Sequence, residues 1–222
     1  MQDFLTAFLA IWDALTAGET WAISQAVRHP VLYWIVGIAL LPVSLLVLQV
    51  FRRSRTLDRY LEPTAMFFIY MTIAMVIFVE VIRRFVFNVQ APWSTTLPPY
   101  LFLLLTWIGC AYNVKLRTHL SFGEVRAMMP PSGRMALAFL DAVLWYVMAV
   151  IVMVATLRLT ANSAANFQLL LGTDDVMRWW FYICVPLSWL VLYARVLENL
   201  SEDIRNFRAG REFGLTNELA RE

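Results

Sequence analysis

The chain has 222 residues, of which 60% are hydrophobic and 15% are charged. Soluble domains are nearer half apolar and about a quarter charged. Because the apolar residues here stand in long blocks, the composition excludes an ordinary soluble domain and predicts a protein that lies in a lipid bilayer. The net charge of +2 is too small and too dispersed to indicate nucleic-acid binding.

A short amphipathic helix is the first predicted element, at residues 1–16. The run is too short and too often interrupted by polar residues to span a membrane. It fits a helix that lies in the membrane interface, and it fits equally a helix packed on other protein. We read no secretory signal, because no Lys or Arg precedes Arg28. The large apolar side chains recur at three- and four-residue spacings and form one stripe: Phe4, Leu5, Phe8, Leu9, Trp12 and Leu15.

Five apolar runs that are long enough to cross a membrane follow. The first, residues 30–51, carries no charge, and at about 1.5 Å per residue it measures roughly 33 Å. Pro42 should kink this helix. A basic linker, 52–63, comes next. The remaining predicted spans are 65–84, 98–114, 135–157 and 179–194.

The predicted fold is an all-α integral membrane protein, a bundle of about five transmembrane helices with an N-terminal amphipathic interfacial helix. Lys and Arg concentrate in the loops on one side, which the positive-inside rule assigns to the cytoplasm. The N-terminus is then periplasmic and the C-terminus cytoplasmic. We divide the chain into a periplasmic N-terminal segment (1–29), an extra span with its basic linker (30–60), a four-helix core (61–200) and a charged cytoplasmic tail (201–222).

The stretch 80–93 closes the second predicted span with three charged residues. Glu80 precedes Arg83 and Arg84 by three and four residues, so both guanidinium groups share its helical face. We expect Glu80 to contact one of them. The pair would either reach to water at the membrane interface or bind a partner chain.

Asp141 is a second candidate, because a carboxylate about two turns inside a span is a functional candidate by default. An ion pair with Arg134 or with the basic residues at 115–117, or a hydrogen bond between helices, would explain it structurally. A proton relay would need a second deep acid, and none is evident. Membrane haem generally uses two axial histidines within the spans, whereas His29 and His119 fall at span ends or in loops. We expect no cofactor, no metal and no catalysis.

Several motifs occur in a fixed order across the last four spans. They are Arg84-Phe85-Val86-Phe87-Asn88 followed by Trp93, then Gly109-Cys110-Ala111, then Lys115-Leu116-Arg117-Thr118-His119 with Glu124 shortly after, and finally Pro186-Leu187 and Arg195. In this order and spacing, residues 65–200 resemble the Q-type small membrane subunit of tripartite ATP-independent periplasmic (TRAP) transporters.

Two features depart from that family. Thr95 and Thr96 stand where the family usually has an acidic pair after the tryptophan, so no role of those acids carries over to this chain. Residues 1–60 lie outside the four-span family core.

The resemblance implies a non-enzymatic scaffold bound to a large M-type permease subunit in the bacterial inner membrane. The large subunit would hold the substrate and sodium sites and move as an elevator. A periplasmic solute-binding protein would deliver an organic acid or similar solute. The structural or interface candidates on this chain are Glu80, Arg83, Arg84, Asn88, Trp93, His119, Asp141 and Arg195.

Two other functions stay open at this point. An anchor subunit of a respiratory or other membrane complex would be expected to associate with haem or quinone, and the placement of the two histidines argues against it. A small autonomous carrier would be expected to show repeated halves or a pair of broken helices, and the chain shows neither pattern.

Overall fold

The fold is a bundle of helices, as the sequence predicts. The computed structural model describes residues 2–118 and 128–211, so the predicted candidate His119 lies outside the described residues. Within these two ranges, five segments are long and apolar enough to cross a membrane: α3, α4, α5 with the 3₁₀ turn before it, α6, and α7 together with α8. The elements are α1 (Gln2–Ala17), α2 (Thr20–Ala26), α3 (Val31–Arg53), α4 (Arg55–Val86), a 3₁₀ turn (Pro92–Ser94), α5 (Leu97–Lys115), α6 (Pro131–Ala165), α7 (Trp179–Tyr182) and α8 (Cys184–Arg208).

Helix α8 is the central column of the bundle. It packs against α3, α5 and α6, and its side chains at Trp189, Leu192 and Tyr193 are almost entirely buried. Trp107 on α5 and Trp145 on α6 contact the indole of Trp189, with ring centroids 5.1 and 6.1 Å away. Large aromatic side chains therefore fill the space where three spans meet.

Helix α4 begins earlier than the apolar pattern predicts. It starts at Arg55 instead of about residue 65, so the chain between α3 and α4 shortens to Ser54, whose hydroxyl accepts a hydrogen bond from the Leu57 amide (3.4 Å). Pro63 lies inside the helix rather than ending a linker. The 32 residues of α4 measure roughly 48 Å at 1.5 Å per residue, which exceeds a hydrocarbon core of about 30 Å. The first turns of α4 therefore extend beyond the apolar layer.

The N-terminal extension is integrated into the bundle. The Tyr146 hydroxyl on α6 donates a hydrogen bond to the carbonyl of Gly37 on α3 (2.9 Å), and Leu40 on α3 belongs to the core around α8. Arg158 on α6 donates from Nε to the carbonyl of Val27 (2.9 Å), at the end of α2. The extra span therefore forms part of the same packed unit as the other four spans.

The bundle has two ends that carry different chemistry. We call the end with Ser54, Lys115 and Arg195 the charged end, because most of the ion pairs lie there. We call the other end, formed by residues 87–96 and 166–178, the loop end. The chain direction places the start of α4 and the ends of α3, α5 and α8 at the charged end.

Candidate functional site

A buried arginine organises the charged end. The side chain of Arg195 on α8 has no exposed surface, and that of Glu62 on α4 is only 2% exposed. Arg195 Nε donates to Glu62 Oε1 (2.7 Å), and Nη1 donates to Asp58 Oδ1 (2.5 Å) and to Glu198 Oε2 (2.8 Å). The guanidinium also lies 4.1 Å from the ring centroid of Phe51, the buried aromatic near the end of α3. Arg195 of α8 thus links the last turn of α3 to the first turns of α4.

The helical repeat explains why these groups meet. Asp58 and Glu62 are four residues apart and share one face of α4, while Arg195 and Glu198 are three apart on α8. Lys115, the last residue of α5, approaches the same carboxylates: Nζ lies 3.2 Å from Asp58 Oδ1 and 3.7 Å from Glu62 Oε2. It also donates to the backbone carbonyl of Asp58. Three helices therefore join through a single ion network.

A second set of contacts joins the end of α5 to the last turns of α8. Arg117, whose φ is 54°, donates to Asp203 Oδ1 (2.7 Å), to Glu202 Oε2 (3.3 Å) and to the backbone carbonyl of Asn199 (3.0 Å). The Asn199 amide in turn donates to the carbonyl of Val114 (2.7 Å). These bonds link the end of α5 directly to α8.

The ion pairs of Arg195, Lys115 and Arg117 join α4, α5 and α8, and we call this network the clamp. Burying a charge is costly unless it is paired and hydrogen-bonded, and removing one partner of a buried pair costs about 3–5 kcal/mol. Among the residues that the structure describes, five carboxylates at this end each lie near a cation. Within residues 2–118 and 128–211, no group of three His, Cys, Asp or Glu side chains is arranged to hold a metal ion. The carboxylates are Asp58, Glu62, Glu198, Glu202 and Asp203.

Among the predicted interface candidates only Arg195 belongs to this network, although Lys115 and Arg117 are parts of a sequence motif and predicted partners of Asp141. Two signals would have pointed to the others. Asp58 and Glu62 stand one helical turn apart directly before an apolar run, and Arg195 ends another such run. A charge at the edge of a span needs a partner, so acids with this spacing are the natural candidates. The expectation of a linker up to Pro63 concealed their shared helical face.

Glu80 makes a different contact from the predicted one. Its Oε1 accepts a hydrogen bond from the backbone amide of Ala91 (3.1 Å). Neither Arg83 nor Arg84 forms an ion pair with it among the described side chains, although all three lie in the last turns of α4. The carboxylate therefore fixes the returning loop against α4 through a hydrogen bond from a backbone amide.

This contact gives a testable expectation. Glu80→Ala removes a charge-assisted hydrogen bond between the half-buried Glu80 and the buried amide of Ala91, so it should lower the free energy of unfolding by about 1–2 kcal/mol. Glu80→Gln keeps an acceptor oxygen and should retain most of that stability. Thermal unfolding of the full chain in detergent measures the difference. The double variant Arg83→Ala/Arg84→Ala is the control and should be nearly neutral; a larger loss there than in Glu80→Ala would restore the predicted ion pair.

The loop end interlocks two loops that are distant in sequence. The Thr96 hydroxyl donates to the carbonyl of Leu171 (2.8 Å). Gly172 has a φ of +84°, and a Cβ there would lie 2.5 Å from the carbonyl carbon of Pro92 and from the amide nitrogen of Trp93. The predicted candidate Trp93 thus lies in the 3₁₀ turn at a backbone contact between the loops. Asn88, another candidate, has a φ of 52° where the chain leaves α4.

Asp141 lies half-buried on α6, within the fourth span as predicted. Of its predicted partners, Lys115 and Arg117 bind the network described above, and Arg134 Nε donates a hydrogen bond to the carbonyl of Met129 (3.0 Å). The structural role of Asp141 stays a prediction.

The order of motifs agrees with a comparison against protein families. Residues 73–206 match the family model described as "Tripartite ATP-independent periplasmic transporters, DctQ component". The matched range contains Glu80, Trp93, the end of α5 and Arg195, but not Asp58 or Glu62, which precede it. Such a family is a component of a transporter and not a family of enzymes. A comparison with curated proteins returned no match.

Proposed function

Since the match covers residues 73–206 of a 222-residue chain, the protein belongs to the DctQ component family of tripartite ATP-independent periplasmic transporters, and we propose that it is the small scaffold subunit of a sodium-coupled secondary transporter. It supports a large M-type permease subunit in the bacterial inner membrane. It helps dock a periplasmic solute-binding protein that delivers an organic acid or similar solute. The charged end faces the cytoplasm and the loop end faces the periplasm, in accord with the positive-inside rule.

The contrast between α4 and α8 is the observation that carries this proposal. Half of the apolar window of the α7–α8 span is buried, whereas no residue of the α4 window is buried. Met75 and Phe78 on α4 are each 62% exposed. In this arrangement α8 stabilises the bundle and α4 offers an apolar face. We propose that the large subunit covers part of that face.

Both ends of the bundle support a fixed, rather than a moving, subunit. Buried ion pairs join α4, α5 and α8 at the charged end, and backbone contacts join the two loops at the loop end. A bundle whose helices are linked at both ends resists relative movement of those helices, because packed interfaces rearrange between discrete states and do not deform continuously. This suits a scaffold against which another subunit moves.

Co-purification with the large subunit tests the assignment. The affinity-tagged chain is expressed together with the large permease subunit encoded beside it, and the recovered complex is quantified. Met75→Trp enlarges a side chain on the exposed face of α4 and should reduce the recovered large subunit by roughly tenfold, because overpacking an interface costs about 1–3 kcal/mol. Leu144→Trp enlarges a side chain of similar exposure (59%) on α6 and should leave recovery unchanged.

The outcomes distinguish an error in the assigned function from an error in the helix chosen as the interface. If the native chain does not recover the large subunit in any mild detergent, or transports alone in liposomes, the scaffold function is wrong. If Leu144→Trp lowers recovery and Met75→Trp does not, the interface lies on α6 and the scaffold function stands.

A further inference from the structure

A groove between the first turns of α4 and the last turns of α5 borders the clamp, with which it shares Asp58 and Lys115. Its volume is about 710 Å³, and it opens to the outside of the bundle at the charged end. Arg55, Arg59 and Lys115 line the part nearest the charged end, which we call its mouth, and Tyr112 and Phe67 line the part farther along the span. The groove therefore combines cationic and aromatic walls.

The mouth carries surplus positive charge. Arg55 and Arg59 are four residues apart on one face of α4. Neither has a carboxylate within 4.0 Å among the described residues, and Arg59 instead lies 5.6 Å from the ring centroid of Tyr60. Among the described residues that line the groove, the one acid is Asp58, and it is already bound by Arg195 and Lys115. Two guanidinium groups thus remain available to an anion.

Beyond its mouth, the groove continues along the membrane span and carries apolar side chains. Pro63 and Phe67 lie one and two turns beyond Arg59 on α4, and Phe67 is 59% exposed. Eight residues of helix separate Arg59 from Phe67, which is roughly 12 Å along the axis. A free inorganic anion would contact only the mouth, whereas a phospholipid would contact both the mouth and the apolar part.

We propose that this groove binds an anionic phospholipid, with its phosphate against Arg55 and Arg59 and an acyl chain along Phe67. Guanidinium groups form paired, charge-assisted hydrogen bonds with phosphate oxygens. Basic pockets between transmembrane helices on the cytoplasmic side suit acidic lipid headgroups, and each Lys or Arg near the surface strengthens such binding about fivefold. The assignment does not depend on the proposed transport function, because it uses only this chain and the bilayer.

Native mass spectrometry of the full chain in neutral detergent tests this site. Phosphatidylglycerol and phosphatidylcholine with identical acyl chains are added separately, and the bound fraction of each is measured. We expect preferential binding of phosphatidylglycerol. The variant Arg55→Gln/Arg59→Gln should weaken that binding by roughly 25-fold, since two contributions of about fivefold are lost.

The matched control removes two arginines from the opposite end of the same helix. Arg83→Gln/Arg84→Gln should leave the binding of phosphatidylglycerol unchanged, and circular dichroism with size-exclusion chromatography should show that both variants fold as the native chain does. Equal binding of the two lipids by the native chain overturns the proposal, as does an equal loss in the two variants.

Two further outcomes identify another occupant. If inorganic phosphate at millimolar concentration displaces phosphatidylglycerol from the groove, the site recognises an anion and not a lipid, and the proposal fails. If Arg55→Gln/Arg59→Gln binds phosphatidylglycerol as the native chain does but no longer recovers the large permease subunit, the groove belongs to a subunit interface and the proposal also fails.

Discussion

Replacing Arg195 by methionine is expected to lower the free energy of unfolding by about 3–5 kcal/mol, because it leaves the buried carboxylate of Glu62 without its principal cation. Glu62 is 2% exposed, and its other cationic neighbour, Lys115, is more distant, at 3.7 Å from Oε2. Phe51 would also lose the guanidinium that lies 4.1 Å from its ring centroid. Thermal or denaturant-induced unfolding of the full chain in detergent, followed by tryptophan fluorescence, measures the loss.

Two further variants show whether the loss comes from an unpaired charge. Arg205→Met removes an arginine whose side chain is 77% exposed and whose nearest acid, Glu202, is 4.0 Å away, so it should change stability by less than about 0.5 kcal/mol. The double variant Arg195→Met/Glu62→Leu replaces the buried pair with apolar groups and should recover most of the stability. If Arg195→Met alone unfolds like the native chain, the network is not a clamp.

A similarly large loss of stability is expected for Gly172→Ala. The left-handed φ of +84° is unfavourable for a residue with a Cβ, which costs about 1–2 kcal/mol. The new Cβ would also lie 2.5 Å from backbone atoms of Pro92 and Trp93. Backbone atoms cannot rotate away as a flexible side chain can, so the two loops must separate. We expect a total loss of about 3 kcal/mol or more in the same unfolding assay.

Gly18→Ala is the matched control for Gly172→Ala. Gly18 has a φ of +69° and nothing within 4 Å of the Cβ position. This variant therefore shows the backbone contribution alone, about 1–2 kcal/mol. If both variants lose the same stability, the close approach of the loops contributes nothing. Increased proteolysis at residues 168–178 in Gly172→Ala, but not in Gly18→Ala, would show directly that the loops have separated.

The ion network at the charged end and the contact between the loops at the loop end relate differently to the residues that match the family. The ion network at the charged end joins residues of the matched family range to Asp58 and Glu62, which precede that range. The loop contact at the other end surrounds Trp93, which lies within the matched range. Thr96 binds the carbonyl of Leu171 here, so the hydroxyl contributes to holding the loops together.

The predicted contact of Glu80 shows why a local pattern can mislead. A spacing of three or four residues places two side chains on one helical face and contributes only about 0.2–0.5 kcal/mol when they are exposed. Ala91 lies eleven residues farther along the chain, and only 3% of its surface is exposed. Its buried amide therefore needs a hydrogen-bond acceptor. The unpaired buried amide is the costlier alternative, so the carboxylate binds it. Helical spacing alone cannot show that the Ala91 amide competes with the two arginines for the carboxylate of Glu80.

The sequence by itself determined the parts of this protein that depend on local composition and periodicity. Uninterrupted apolar runs require a bilayer as solvent, so five spans follow from length and hydropathy, and the order of short motifs indicated the family. The tertiary structure alone decided which charges meet. Arg195 and Glu62 are 133 residues apart in the chain, and they pair because α4 and α8 meet at one end of the bundle. An unpaired buried charge at the end of a span is unfavourable, so Arg195 needs a carboxylate partner. The packing of the helices determines which carboxylate that is.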